Sequence, residues 1–276
     1  MLEFKIDEQK CTTCGLCVAD CPARIIAMED GSFPVIAPEN EAACYRCQHC
    51  LAICPTEAVS ILGLKPENSR PLAGNYPDAC QMETLIKGRR SVRRYRDENL
   101  EPELLQHLLE VAWHAPTGVN SRQVRFTVVD DREKLAHLRG EVMAGLGRLV
   151  RDSALPEGLR FYADFVRLWD EKGIDTIFRG APHLLVASVP KNVPSPMPDC
   201  LIALSYFELF AQCHGVGTVW NGLAKWAIND LLPEIRSRLG IPEDHLIGYV
   251  MAFGKPAVRY ARTVQHGPAL ISRFGG

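Results

Sequence analysis

Eight of the chain's eleven cysteines fall into two short blocks, Cys11-x2-Cys14-x2-Cys17-x3-Cys21-Pro22 and Cys44-x2-Cys47-x2-Cys50-x3-Cys54-Pro55, which repeat at an interval of 33 residues. Each block runs on into a short apolar, strand-like stretch, Ile25-Ile26-Ala27 and Val59-Ser60-Ile61, so the duplication extends beyond the cysteines. The first residues alternate charged with apolar side chains, unlike an export signal, and no stretch reaches the roughly 18 consecutive apolar residues of a membrane span. The expectation is a soluble, cytoplasmic protein with no membrane partner. In a reducing compartment disulfides explain so many cysteines poorly, and metal or cluster ligation explains them well.

The spacing narrows the choice of ligand. Three thiolates two residues apart can wrap three corners of a cube, while a fourth, turned away after a short connection, reaches a neighbouring cube; this is the spacing of bacterial [4Fe–4S] ligation. The expected ligand sets are Cys11, Cys14, Cys17 and Cys54 for one cluster, and Cys44, Cys47, Cys50 and Cys21 for the other. Zinc is the alternative, since C-x2-C pairs also bind it. Tetrahedral zinc has no use for the third and fourth cysteines of each block or for the trailing prolines. Cys200 and Cys213 are expected to be small buried hydrophobes, and Cys80 fits no spacing.

With 276 residues, 47% of them hydrophobic, the chain is long enough for two folded units and a sizeable core in at least one. Residues 64–83 begin with a run rich in Pro, Asn and Gly and read as a linker between a front unit, 1–63, and a second unit, 84–276. Residues 1–62 hold four Lys and Arg against nine Asp and Glu, and the remainder 27 against 24. An acidic front and a mildly basic remainder suit an electron-carrying module beside a site for an anionic cofactor, and give no nucleic-acid footprint.

The second unit opens on a basic run, Arg89-Arg90-Ser91-Val92-Arg93-Arg94-Tyr95-Arg96, followed by a helix whose Leu104, Leu105, Leu108, Leu109 and Ala112 form one apolar stripe. Strands are expected at 126–129, 184–188 and 247–253, separated by helices, which implies an α/β or α+β layer structure. The segment 199–213 leaves almost no polar face and must be buried all round, in a large core or against another subunit.

Arg89, Arg90, Ser91 and Arg93 offer guanidinium groups and a hydroxyl within five residues, a set that suits a phosphate; a solvated basic face or a docking patch is the alternative. The turn-rich segment Ala115-Pro116-Thr117-Gly118-Val119-Asn120-Ser121-Arg122-Gln123, the glycines of Gly215-Val216-Gly217 and Trp220-Asn221-Gly222, and the cations Arg259 and Arg262 point together to a flat, phosphorylated cofactor. No Ser-His-Asp or paired-carboxylate arrangement stands out, and His114, His183 and His214 read as structural.

At these residues, from about Thr84 onward, the chain resembles the nitroreductase family of FMN-dependent oxidoreductases. The cysteine region resembles the two-cluster ferredoxins over its whole length, so the whole chain looks like a ferredoxin–nitroreductase fusion. The resemblance implies an α+β fold: a small two-cluster domain followed by a domain with a central, mostly antiparallel sheet flanked by helices. It implies that Arg89, Arg90, Ser91 and Arg93 hold the FMN phosphate, ribityl chain and pyrimidine edge, with Arg262 and Arg259 completing the phosphate site. Asn120 matches an Asn contributed across a subunit boundary, so a homodimer is expected. Trp220, Asn221 and Gly222 match the segment beside the isoalloxazine ring, where the backbone of Gly222 would face flavin N5. Tyr162, Phe165 and Trp169 fall in the region that shapes the family's substrate pocket, with an ordinary amphipathic helix as the alternative. The chain departs from the family after Asn120, where Ser121-Arg122-Gln123-Val124 stands in place of x-Gln-Pro-Trp.

The resulting expectation is an FMN oxidoreductase that takes electrons through two [4Fe–4S] clusters from a one-electron donor, such as reduced ferredoxin or a low-potential reductase. It would reduce a small organic acceptor of the nitroaromatic, quinone or enone type. The alternatives are an electron-transfer subunit or redox sensor serving a partner protein, and flavin-dependent dehydrogenation.

Overall fold

The computed structural model describes residues 1–275. Two compact units emerge, the first comprising Met1–Pro77 with Val119–Ser121, the second Asp78–Gly118 with Arg122 onward. Among the described residues no helix is long and apolar enough to cross a membrane.

The front unit is built from very short elements: β1 (Lys5–Ile6), α1 (Leu16–Ala19), β2 (Ile26–Ala27), β3 (Val35–Ile36), α2 (His49–Ala52) and β4 (Val59–Ser60). β1 pairs antiparallel with β4, and β2 with β3. The duplication reaches the backbone. Thr13 and Arg46 have φ of 51° and 53°, Gly15 and Gln48 have 72° and 63°, and Arg24 and Glu57 have 53° and 56°, each pair 33 residues apart. Left-handed geometry disfavours non-glycine residues by roughly 1 kcal/mol or more, so matching side chains held in it mark places where the chain must turn sharply.

In the second unit the helices are α3 (Ala79–Gly88), α4 (Pro102–Ala112), α5 (Arg132–Arg151), α6 (Tyr162–Lys172), α7 (Pro196–Cys213), α8 (Gly222–Trp226) and α9 (Pro233–Arg238). The strands β5 (Arg125–Val129), β6 (His183–Pro190), β7 (Gly217–Trp220) and β8 (His245–Gly254) form one antiparallel sheet in the order β5-β6-β8-β7. Seven of the eight β6 residues are buried because both faces of the sheet are covered. Leu184 and Val186, with Val250 and Ala252 of β8, pack against α5 and α6 through Leu135, Val142, Leu146 and Tyr162. Leu185, Ala187 and Val189, with Met251 and Phe253, face the opposite way onto Leu105 and Leu108 of α4 and Cys200, Leu204 and Phe207 of α7. The period-two alternation of a strand thus feeds two cores.

Two expectations are corrected. α3 begins at Ala79, capped by the Asp78 carboxylate, which accepts from the amides of Cys80 and Gln81, so the end of the presumed linker 64–83 is helical. Sequence hid this because the first turn of α3 is exposed and carries no apolar stripe. Within the single chain α7 keeps an open side, with Tyr206 exposed and Ile202 and Phe210 only partly covered, so of the two expected settings the core alone does not enclose it. Cys213 is likewise exposed, whereas Cys200 is buried, and burial pushes its thiol up to about 12.

Two predictions follow from this packing. A Cβ built on Gly248 would stand 2.1 Å from Cys200 Cβ, so β8 and α7 approach as closely as they do only because position 248 has no side chain. Gly248→Ala should destabilise the unit by about 3 kcal/mol, and adding Cys200→Gly should recover part of that in thermal melts. His183 is fully buried, accepts from the Leu100 amide at 2.9 Å through Nε2, and is held below the ordinary histidine pKa by desolvation. Because the unfolded chain takes up the proton first, stability should fall as pH drops below about 6.5 and fall no further once the folded histidine also protonates. All four tryptophans lie in the second unit, so urea midpoints read by their fluorescence at pH 7.5 and 5.5 report on it, and His183→Gln should flatten the slope.

Candidate functional site

The cysteines of the front unit line two cavities, each drawing on both blocks. One, of about 320 Å³, is lined by Cys11, Cys14, Cys17 and Cys54. The other, of about 340 Å³, is lined by Cys44, Cys47, Cys50 and Cys21. The turns at Thr13/Gly15 and Arg46/Gln48 fold each C-x2-C-x2-C run around its own cavity, while the final cysteine of each block is carried to the other. Among the described residues no group of three or more His, Cys, Asp or Glu closes on a single metal ion; the sulfurs stand around a volume.

The thiols differ in their surroundings. Burial pushes Cys17 up and Cys50 to about 11. Burial also acts on Cys54, but the Ala58 amide, which donates to its Sγ at 3.2 Å, and the Thr56 hydroxyl at 3.8 Å outweigh it and lower its pKa. Cys17 and Cys50 therefore favour the neutral thiol, and a soft cationic centre that binds them as thiolates would displace their protons. Four sulfur donors around each cavity fit an iron–sulfur cluster, and the Cys54 bonds are of the kind that tune one.

In the second unit the basic run behaves as an added strand. Ser91 bridges Thr218 of β7 in parallel, and the Val92 amide donates to Thr218 O at 2.8 Å. A Cβ on Gly217 would come within 2.6 Å of the Val92 side chain, so glycine there lets the run lie against β7. Being extended, the run has two faces. Gly88, Arg90 and Val92 line an open cavity of about 760 Å³ together with Gly217, Thr218 and Arg259. Arg90 gives one terminal nitrogen to Lys87 O at 3.0 Å, and its buried Nε has no partner, a donor left for a ligand.

Arg89 faces elsewhere. Its Nη1 lies 3.2 Å from the Oε1 of Glu208, a residue of α7 that is 6% exposed. The same carboxylate accepts from Thr218 Oγ1 at 3.0 Å and from the Trp220 indole nitrogen at 2.9 Å. Sequence reasoning missed Glu208, although an acid in the middle of an otherwise almost wholly apolar helix was the signal.

The remaining expected residues are placed as follows. Arg93 is exposed, with Nη1 3.3 Å from Ser91 O. Arg262 is exposed and does not line the cavity, which takes Arg259 instead. Asn120 ends a tight turn, Gly118–Asn120, with φ of 55°, in the three residues that group with the front unit. Asn221 is committed to the fold. Its Oδ1 caps α8 by accepting from the Ala224 amide, and its Nδ2 donates to Ile177 O, both at 2.9 Å, so these bonds fix the side chain's orientation. Gly222 opens α8, so its N–H has no partner within the helix. Tyr162 corrects the substrate-pocket expectation: it is fully buried, with its hydroxyl donating to Leu223 O, because it is the inward residue of α6. Phe165 and Trp169 are partly buried against the same core, the amphipathic-helix alternative. Phe161 and Trp226 are the exposed aromatics there, with ring centroids 6.3 Å apart.

Comparison with known proteins agrees with this architecture. The family model described as the nitroreductase family matches residues 86–255, and the one described as a 4Fe-4S dicluster domain matches residues 10–59. The nitroreductase NfnB of Mycolicibacterium smegmatis is 27% identical over 219 residues, 70% of this chain and 92% of that protein. An iodotyrosine deiodinase of Thermotoga neapolitana is 30% identical over 139 residues, 49% of this chain and 70% of that protein. Among solved structures, a nitroreductase with bound FMN from Bacteroides fragilis superposes with a TM-score of 0.55 at 25% identity, covering 70% of this chain and 99% of that one. The antiparallel sheet between helical layers, the arginine run laid along β7 and the two cysteine-lined cavities thus have their counterpart in sequence: the chain belongs to the nitroreductase family and carries a 4Fe–4S dicluster ferredoxin domain ahead of the nitroreductase domain.

Proposed function

We propose that this chain is an FMN-dependent oxidoreductase that accepts single electrons through two [4Fe–4S] clusters and uses them to reduce a small organic acceptor of the nitroaromatic, quinone or enone type. The observation that carries the reading is the pair of four-cysteine cavities in the same chain as an arginine-lined site of nitroreductase type. Direct hydride delivery by a nicotinamide would leave two clusters without a task, whereas a one-electron donor such as reduced ferredoxin or a low-potential reductase gives them one. The eleven free thiols fit a reducing, cytoplasmic setting.

FMN supplies two-electron reduction of the acceptor while also accepting electrons singly. The protein's part is binding and electrostatics. Arg90 and Arg259 would meet the phosphate, Arg90 with its unpartnered Nε. Arg89, Ser91 and Arg93 present the other face of the run, on the strand that runs beside Trp220, and the free N–H of Gly222 would serve the flavin N5. Neutralisation of Arg89 by Glu208 leaves Arg90, Arg93 and Arg259 as the cations that favour an anionic, reduced ring.

A homodimer is part of the proposal. The open side of α7, with Tyr206 43% exposed, and the exposed Met82 and Ile86 of α3 supply apolar surface suited to a twofold interface. Gel filtration with light scattering should give twice the chain mass of 30.7 kDa; a stable flavin-loaded monomer would defeat this part.

Anaerobic purification followed by iron, sulfide and flavin analysis should give about eight irons, eight sulfides and one FMN per chain, the content of two cubanes. Cys54→Ala should remove the cluster of the first block, although Cys54 lies in the second, and leave about four irons. Zinc in place of iron, or a chain without flavin, would undo the corresponding half of the proposal.

A further inference from the structure

α7 buries two acidic side chains, Asp199 near its start and Glu208, and Glu208 is held by three donors from separate positions: Arg89, Thr218 and Trp220. A carboxylate taken out of water costs several kcal/mol unless it is fully compensated, and an apolar residue of similar size is often at least as stabilising as a buried ion pair. The apolar neighbours Leu204, Phe207 and Ala211 make a hydrocarbon side chain the simplest filling for this position. The charge is therefore better understood by what it grips.

Two of the three donors frame the candidate flavin site. Arg89 begins the basic run; the backbone of that run is fastened to β7 at Thr218, through the Val92 amide, and Thr218 also gives its hydroxyl to Glu208. Trp220 ends β7 and leads directly into Asn221 and Gly222, the turn whose side chain is already locked by Ala224 and Ile177. One carboxylate thus couples the start of the run, the strand beside it and the indole at the far end of that strand. We propose that Glu208 is a positioning residue for the flavin: without touching the cofactor, it fixes the Arg89 guanidinium and the Trp220 indole in the geometry the cofactor requires. The inference rests on the flavin reading given above.

The test uses the full-length holoprotein and follows FMN release after dilution by the rise of free-flavin fluorescence, beside the thermal midpoint. Glu208→Gln keeps the volume but presents an amide donor to groups that are themselves donors. It should speed FMN release by about tenfold or more, as expected when hydrogen bonds to a charged group are lost. Leu135→Ala, in the core on the opposite face of the sheet, should lower the midpoint at least as far while leaving release within about twofold. Glu208→Leu keeps Arg89 and removes only the carboxylate that holds it; it should release FMN as quickly, so the test stands even if Glu208→Gln folds poorly. Wild-type release rates in either Glu208 variant overturn the inference while the flavin reading survives. Equal acceleration in Leu135→Ala also overturns it, since general loosening would then be the cause. A wild-type holoprotein without FMN defeats the flavin reading itself, and this inference with it.

Discussion

The second unit hangs on the pairing of β6 with β8. Both strands are buried on both faces, so their backbone groups have no water to turn to and must bond to each other. That requirement fixes the register from His183 opposite Phe253 to Pro190 opposite His245, and with it the face each side chain takes. β7 joins β8 by the same logic, Gly217 opposite Gly254, and the basic run then extends the edge by bridging Thr218. The arginines are placed by a chain of backbone hydrogen bonds that begins in the core.

Electrostatics act on that frame at its edge. The five arginines of the run could repel one another and bind any anion indiscriminately if all faced one way. Extension of the backbone prevents this by sending Arg90 to one face and Arg89 to the other, where Glu208 neutralises it. A buried ion pair is weak support for stability but a strong constraint on orientation, because breaking it leaves an uncompensated charge. Asn221 shows the same division of labour, since an amide side chain that looked like a ligand contact turns out to cap α8 and tie down Ile177.

Much of this was legible in the sequence because periodicity carries it. The cysteine spacing disclosed the two blocks and the exchange of their last members, and a strand was expected at 184–188, within β6. The readings that failed are those in which a residue's type is ambiguous between packing and chemistry. Tyr162 and Cys213 each have side chains able to serve a site or a fold, and only the position of neighbours distant in sequence decides between them. Glu208 escaped for the opposite reason: its partners lie 119, 10 and 12 residues away, beyond any local pattern.

The front unit obeys a different constraint. Its buried hydrophobic cluster is small, Leu2, Ile25, Ile26, Leu51, Val59 and Ile61 with Cys17 and Cys50, and its strands are two residues long. Units near 60 residues bury too little surface to be secure without added cross-links or metal. Against so small a core it holds Thr13, Arg24, Arg46, Gln48 and Glu57 in left-handed backbone, five non-glycine residues at roughly 1 to 2 kcal/mol each. An energy penalty of that size, repeated in register at 33 residues, persists only where something other than hydrophobic burial over-determines the turns. Thiolate ligation is the available source, because the same turns bring four sulfurs around each cavity. On the proposed cluster reading, ligation would supply folding energy that the small core of this unit lacks, whereas the second unit draws on two larger buried clusters.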